Sequence, residues 1–84
     1  MELKHDCECD AIYIQLSTKA YAYGIDLDNE RRVDYSEDGT PIGIELLCAC
    51  HGVILTGLPC PQEITELLRA KGITVYTSPE NQSI

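Results

Sequence analysis

The chain has 84 residues, enough for one domain and too few for two. Fourteen Asp and Glu face six Lys and Arg, a formal net charge of −8, so the cations that nucleic-acid binding draws on are scarce. DNA and RNA are therefore set aside as partners, and a basic protein fits the field better, although solubility also accounts for acidity.

A chain this short buries only about 60–65% of the surface it exposes when unfolded. Self-association adds buried area, so a homodimer is expected. The opening MELKHDCECD has no apolar core of a secretory signal, and the apolar run 42–58 is broken by Gly43, Glu45, His51, Gly52 and Gly57. These features predict a cytoplasmic protein with no membrane span. Thiols stay reduced there, and five cysteines complete no disulfide framework.

Alternation of Leu3, His5 and Cys7 with polar neighbours predicts a first strand, followed by a turn over 7–10. A second strand over 11–17 puts Ile12, Ile14 and Leu16 on one face and Tyr13 and Gln15 on the other. A third, over 21–27, aligns Tyr21, Tyr23, Ile25 and Leu27. Asp28, Asn29 and Glu30 have turn composition, because short polar side chains bond their own backbone there. A fourth strand over 31–35 buries Val33, and Glu37-Asp38-Gly39 forms a hairpin turn with Gly39 at positive φ. A fifth strand over 41–50 carries Ile42, Ile44, Leu46, Cys48 and Cys50 on one side.

Residues 53–56 predict another strand. Pro61 then suits the first position of a helix, with Glu63 in its first turn and Ile64, Leu67 and Leu68 as its apolar stripe. Gly72 closes that helix, 73–77 forms a short last strand, and 78–84 is expected to be a flexible tail. The pattern predicts a single α+β domain over 1–77: a mainly antiparallel sheet of five or six short strands with one helix packed on it.

The segment DAIYI at 10–14 and the segment VDYSEDGTPIGIE at 33–45 together resemble the bacterial family catalogued as domain of unknown function 2283. That family's pattern is a strand opening D-A-x-Y-I, an acidic turn, and a V-D-Y-x-x-D-G-x-x-x-G-I-E hairpin. The resemblance covers residues 3 to 50. It brings no catalytic residues, and it implies an antitoxin-like or partner-binding role beside a small basic protein. Cys7, Cys9, Cys48 and Cys50 depart from the pattern.

Those four cysteines form two C-x-C pairs. Thiolates are ligands that zinc favours, and both members of such a pair on a strand point to one face, so zinc held by Cys7, Cys9, Cys48 and Cys50 is one reading. It requires the first strand to lie beside the end of the fifth. The competing reading places Cys48 and Cys50 in the core as small apolar residues. Cys60, at the N-terminus of the helix, is a candidate reactive thiol for an enzyme or redox sensor, though no base is assigned to it. Asp26, Asp28 and Glu30 mimic the start of a calcium loop, but Arg31 replaces the turn glycine and they are read as a solvated turn. Tyr13, Tyr21 and Tyr23 are candidate interface residues, with an apolar body and a polar tip.

No residue set has the spacing of a known catalytic site. The sequence-level expectation is therefore a small acidic interaction protein, homodimeric and not an enzyme.

Overall fold

A computed structural model describes residues 1–76 of the chain. The backbone gathers into two compact units, the first ending at Cys48 and the second beginning at Ala49.

The first unit is a five-stranded antiparallel sheet built from β1 (Glu2–Asp6), β2 (Ala11–Gln15), β3 (Tyr23–Asp28), β4 (Arg31–Tyr35) and β5 (Pro41–Leu46). The spatial order is β1-β2-β5-β4-β3. A row of apolar residues in register, Leu3, Ile14, Ile44, Val33 and Ile25, crosses every strand. Its middle three members are completely buried. Ile12, Ile42 and Leu46 bury the same face, as the period-two alternation requires.

The β4–β5 hairpin forms at the expected place. Gly39 takes φ 85°, Gly39 N–H donates to the Ser36 carbonyl at 3.0 Å, and Ser36 N–H donates to the Thr40 carbonyl at 2.9 Å. Asp38 ties the turn together. It accepts hydrogen bonds from Lys19 Nζ at 2.7 Å, from the Thr40 N–H at 3.1 Å and from the Ser36 hydroxyl. The Lys19 bond, with help from the Ser36 and Thr40 donors, holds this carboxyl well below the usual carboxylate range. Because the folded-state pKa lies below the unfolded one, the stabilisation is present at neutral pH. It fades as the pH falls below about 4 and further into acid. Asp38→Asn is therefore expected to lower the melting temperature at pH 7, and the gap from wild type should narrow steadily in acid. A gap that stays constant from pH 7 to pH 2 would show that the Asp38 charge does not hold the turn.

The fifth strand is shorter than the apolar stripe suggests. It ends at Leu46 rather than running on through 50, because Cys48 takes φ 55°, a left-handed backbone that no strand continues through. Strand three also differs from expectation. It starts at Tyr23, and a register shift between Asp26 and Asp28 interrupts the alternation at Leu27.

The second unit opens with a single 3-10 turn, Ala49–His51, which contains Cys50. Strands β6 (Val53–Ile54) and β7 (Val75–Tyr76) pair in parallel, with helix α1 (Pro61–Ala70) as their crossover. Pro61 occupies the first helical turn, Glu63 sits near the helix N-terminus, and Ile64 and Leu68, four residues apart, are the helix's buried residues. Leu67, the third member of the expected stripe, is half-buried. Gly72, at φ 76°, follows the C-cap Lys71 in the closing role expected of it. The α+β class thus holds, but the last strand pair is a separate parallel one. The tail expected over 78–84 lies outside the described residues.

Candidate interaction face

The other face of the five-stranded sheet is polar. Lys4, Tyr13, Glu45, Arg32 and Asp26 stand in register across it, and the adjoining row runs Glu2, Gln15, Gly43, Asp34 and Gly24. Two glycines in the second row make room for two long side chains of the first. A Cβ on Gly43 would lie 1.8 Å from the Tyr13 hydroxyl oxygen, and one on Gly24 would lie 2.4 Å from Arg32 Nη2. Tyr13 and Arg32 therefore lie flat over bare backbone, a close approach that glycine alone permits.

Both side chains converge on Asp34. The Tyr13 hydroxyl donates to Asp34 Oδ2 at 3.4 Å, and Arg32 Nε donates to Asp34 Oδ1 at 3.3 Å. Arg32 also donates from Nη1 to Asp26 at 3.0 Å and from Nη2 to the Tyr21 hydroxyl at 3.2 Å. Burial, with the neighbouring charges of Asp34 and Glu45, pushes the Tyr13 hydroxyl above its ordinary pKa, so it stays a donor at neutral pH. The Tyr21 and Asp26 bonds are the main causes that raise the Arg32 guanidinium's pKa, so its charge is fixed.

Tyr21 thus reaches the polar side of the sheet. Tyr23 instead stacks on Tyr35, with ring centroids 5.2 Å apart. Its register places it on the face of Ile25 and Val33. The expected shared face of Tyr21 and Tyr23 is corrected: Tyr21 precedes the strand and escapes its alternation.

Among the depressions on this unit, two border Glu45. One, of about 400 Å³, is lined by Asp26, Asp28, Asn29, Glu30, Arg31, Arg32, Glu45 and Leu47. The other, of about 220 Å³, lies among Lys4, His5, Asp6, Ala11, Ile12, Tyr13 and Glu45. Glu45 belongs to both. In the larger one Arg31 is paired with Asp28 at 2.8 Å and Arg32 with Asp26 at 3.0 Å. Glu45 is exposed, and no ion pair neutralises it among the described residues.

The cysteines are distributed differently from the zinc reading's requirement. Cys7 and Cys9 lie in the exposed turn between β1 and β2. Strand β2 stands between β1 and β5, so the first strand does not lie beside the end of the fifth. Cys48 closes the first unit, within 4.8 Å of the Glu30 carboxylate, and Cys50 falls in the second unit. A hydrogen bond to Glu30, with burial and the Glu30 and Asp10 charges, pushes the Cys48 thiol up. Such a thiol is held protonated, the reverse of an activated thiolate. Cys60 is the exposed N-cap residue of α1 as expected, with φ 50° and no side-chain capping bond. Asp26, Asp28 and Glu30 are exposed and engaged by Arg32, Arg31 and Cys48 respectively.

Tyr13, Gly43 and Asp34 form the cross-sheet contact, and Ile14, Val33 and Ile44 form the core row. Tyr35 carries the stacked ring, while Asp38 and Gly39 make the turn. The model of the family described as "Protein of unknown function (DUF2283)" matches residues 3–49. The chain belongs to the DUF2283 family. No curated protein and no solved structure matches it. Among the DUF2283 motif letters of the hairpin, Glu45 stands out as exposed, unneutralised and without a part in the turn or the core. Sequence reading passed over it, and also over the Tyr13–Asp34–Arg32 array. A glycine inside each of two strands was the available signal. Among the described residues, no helix is long and apolar enough to cross a membrane.

Proposed function

We propose that this DUF2283 domain is a non-enzymatic interaction module that receives a basic protein partner on its polar sheet face, with Glu45 as the anchor for a cationic side chain. The observation that carries this reading is the position of Glu45. It is an exposed carboxylate, shared by both depressions, on a face where Asp26 and Asp34 are already satisfied by Arg32. The net charge of −8 draws a cationic partner in, and Leu47, 40% exposed at the rim of the larger depression, supplies apolar contact. This is the chemistry of the antitoxin-like role implied by the family resemblance: an acidic surface that covers a small basic protein.

The test uses the full chain and a labelled ten-residue peptide of alternating Lys and Leu, followed by fluorescence anisotropy. Glu45→Gln is expected to weaken binding roughly two- to fivefold, the scale of one exposed charge pair, and raised salt should erode the difference. Glu66→Gln, the same charge change on the exposed side of α1, is expected to leave affinity unchanged. Equal losses from both substitutions would reduce the effect to bulk charge and end the proposal.

A further inference from the structure

We infer that two copies of this chain join edge to edge through β3, in an antiparallel pairing centred on Ile25. The sheet has two edges, and they differ in kind. β1 presents Glu2, Lys4, His5 and Asp6, ionisable side chains of the sort that keep an edge from pairing. β3 carries the exposed carboxylates Asp26 and Asp28, but it also presents Tyr23 and Ile25, which are 42% and 48% exposed. Ile25 ends the apolar row that begins at Leu3, so the row runs out into solvent at this edge. A further strand laid there would cover it and pair the edge backbone.

Charge selects the register. When two antiparallel copies of one strand are centred between residues, the apolar face of one sheet continues into the polar face of the other. Centring on Asp26 sets that carboxylate directly opposite its own copy. Centring on Gly24 does the same for Arg32, whose guanidinium lies over Gly24. Both arrangements oppose like charges and are unfavourable. Centring on Ile25 does neither. Ile25 then meets its counterpart, and Asp26 of each copy stands opposite Gly24 of the other, beside Arg32. That guanidinium uses Nε on Asp34, one Nη1 hydrogen on Asp26 and one Nη2 hydrogen on Tyr21. A guanidinium has five N–H donors, so two remain for the incoming carboxylate. Two-fold symmetry supplies this contact twice and joins the two apolar rows end to end.

Sedimentation velocity on the full chain at about 100 μM, a concentration at which a micromolar dimer is saturated, tests this. The chain mass is 9.3 kDa, and wild type is expected to sediment at twice that. Ile25→Glu places two carboxylates together on the symmetry axis. It is expected to weaken the dimer by about a hundredfold or more, while far-UV circular dichroism shows the exposed site tolerating the change. Asp26→Lys, which turns the Asp26–Arg32 attraction into repulsion, is expected to weaken it roughly tenfold. Glu2→Lys on the β1 edge should leave the dimer intact. A monomeric wild type at that concentration would overturn the inference, as would an Ile25→Glu protein that dimerises normally. The Glu45 reading stands or falls separately, since Glu45→Gln is expected to alter peptide binding and leave the sedimenting mass alone.

Discussion

Ile44→Ala is expected to cost about 3–4 kcal/mol, the largest loss that any single truncation in the sheet should produce. Ile44 is completely buried, lies on the central strand β5, and is flanked in register by Ile14 on one side and Val33 on the other. All three side chains are β-branched and held to few rotamers, so the neighbours cannot collapse far into the space left by three lost carbons. A small domain has on the order of 5–15 kcal/mol in total, and one of this length sits towards the low end. The variant should therefore melt roughly 12–32 °C below wild type, at about 4–8 °C per kcal/mol for a domain of this size. Urea denaturation followed by circular dichroism measures it. A loss below about 1 kcal/mol would mean that the row from Leu3 to Ile25 is not the centre of the core.

Gly43→Ala should cost about 2 kcal/mol, a large penalty for the addition of one methyl group. The new Cβ would stand 1.8 Å from the Tyr13 hydroxyl oxygen and 2.3 Å from Cζ, so the ring has to leave its place over the strand. With it goes the hydrogen bond to Asp34, and the part-buried carboxylate loses one of its donors. Overpacking of this kind typically costs 1–3 kcal/mol. The diagnostic experiment is the double-mutant cycle with Tyr13→Ala. Once the ring is absent, alanine at position 43 should cost less than about 1 kcal/mol, and the difference between the two costs is the coupling. Equal costs in both backgrounds would place Tyr13 somewhere other than over Gly43.

These two residues also show how much of the fold and the site was legible beforehand. The apolar stripe of β5 identified Ile44 directly, because an apolar residue at every second position marks a buried strand face. Strand four, the Gly39 turn and the helix between Pro61 and Gly72 were legible from equally local signals. The role of Gly43 was not, since nothing within β5 says that a tyrosine from β2 lies across it. That contact depends on β2 pairing with β5, a pairing between segments some thirty residues apart. The same non-local pairing places β2 between β1 and β5. Convergence of the two C-x-C segments is conceivable only while strand order is open.

Cys48 illustrates a different limit. Its apolar neighbours extended the strand pattern through position 50, but a left-handed backbone at a non-glycine residue has no periodic signature. The register shift at Leu27 escaped notice for a similar reason, because alternation in the letters persists where alternation in space stops. Arg32 follows Arg31 directly in the sequence, inside an acidic stretch that gives the two the same look. In the fold Arg32 is the hub of the polar face, while Arg31 stands in the row of Leu46 and Ile12 and pairs with Asp28. Period-two alternation separates the two arginines, and applying it to charged residues as strictly as to apolar ones would have found the array.

The polar sheet face centred on Glu45 is the surface proposed to receive a cationic partner. The most direct test is an NMR titration of the uniformly nitrogen-15-labelled full chain with the Lys-Leu peptide, reading each backbone amide in turn. Shifts are expected to concentrate at Tyr13, Arg32, Glu45 and Leu47, and to be lost in Glu45→Gln. Shifts spread evenly over the acidic residues, or concentrated on α1, would contradict this assignment.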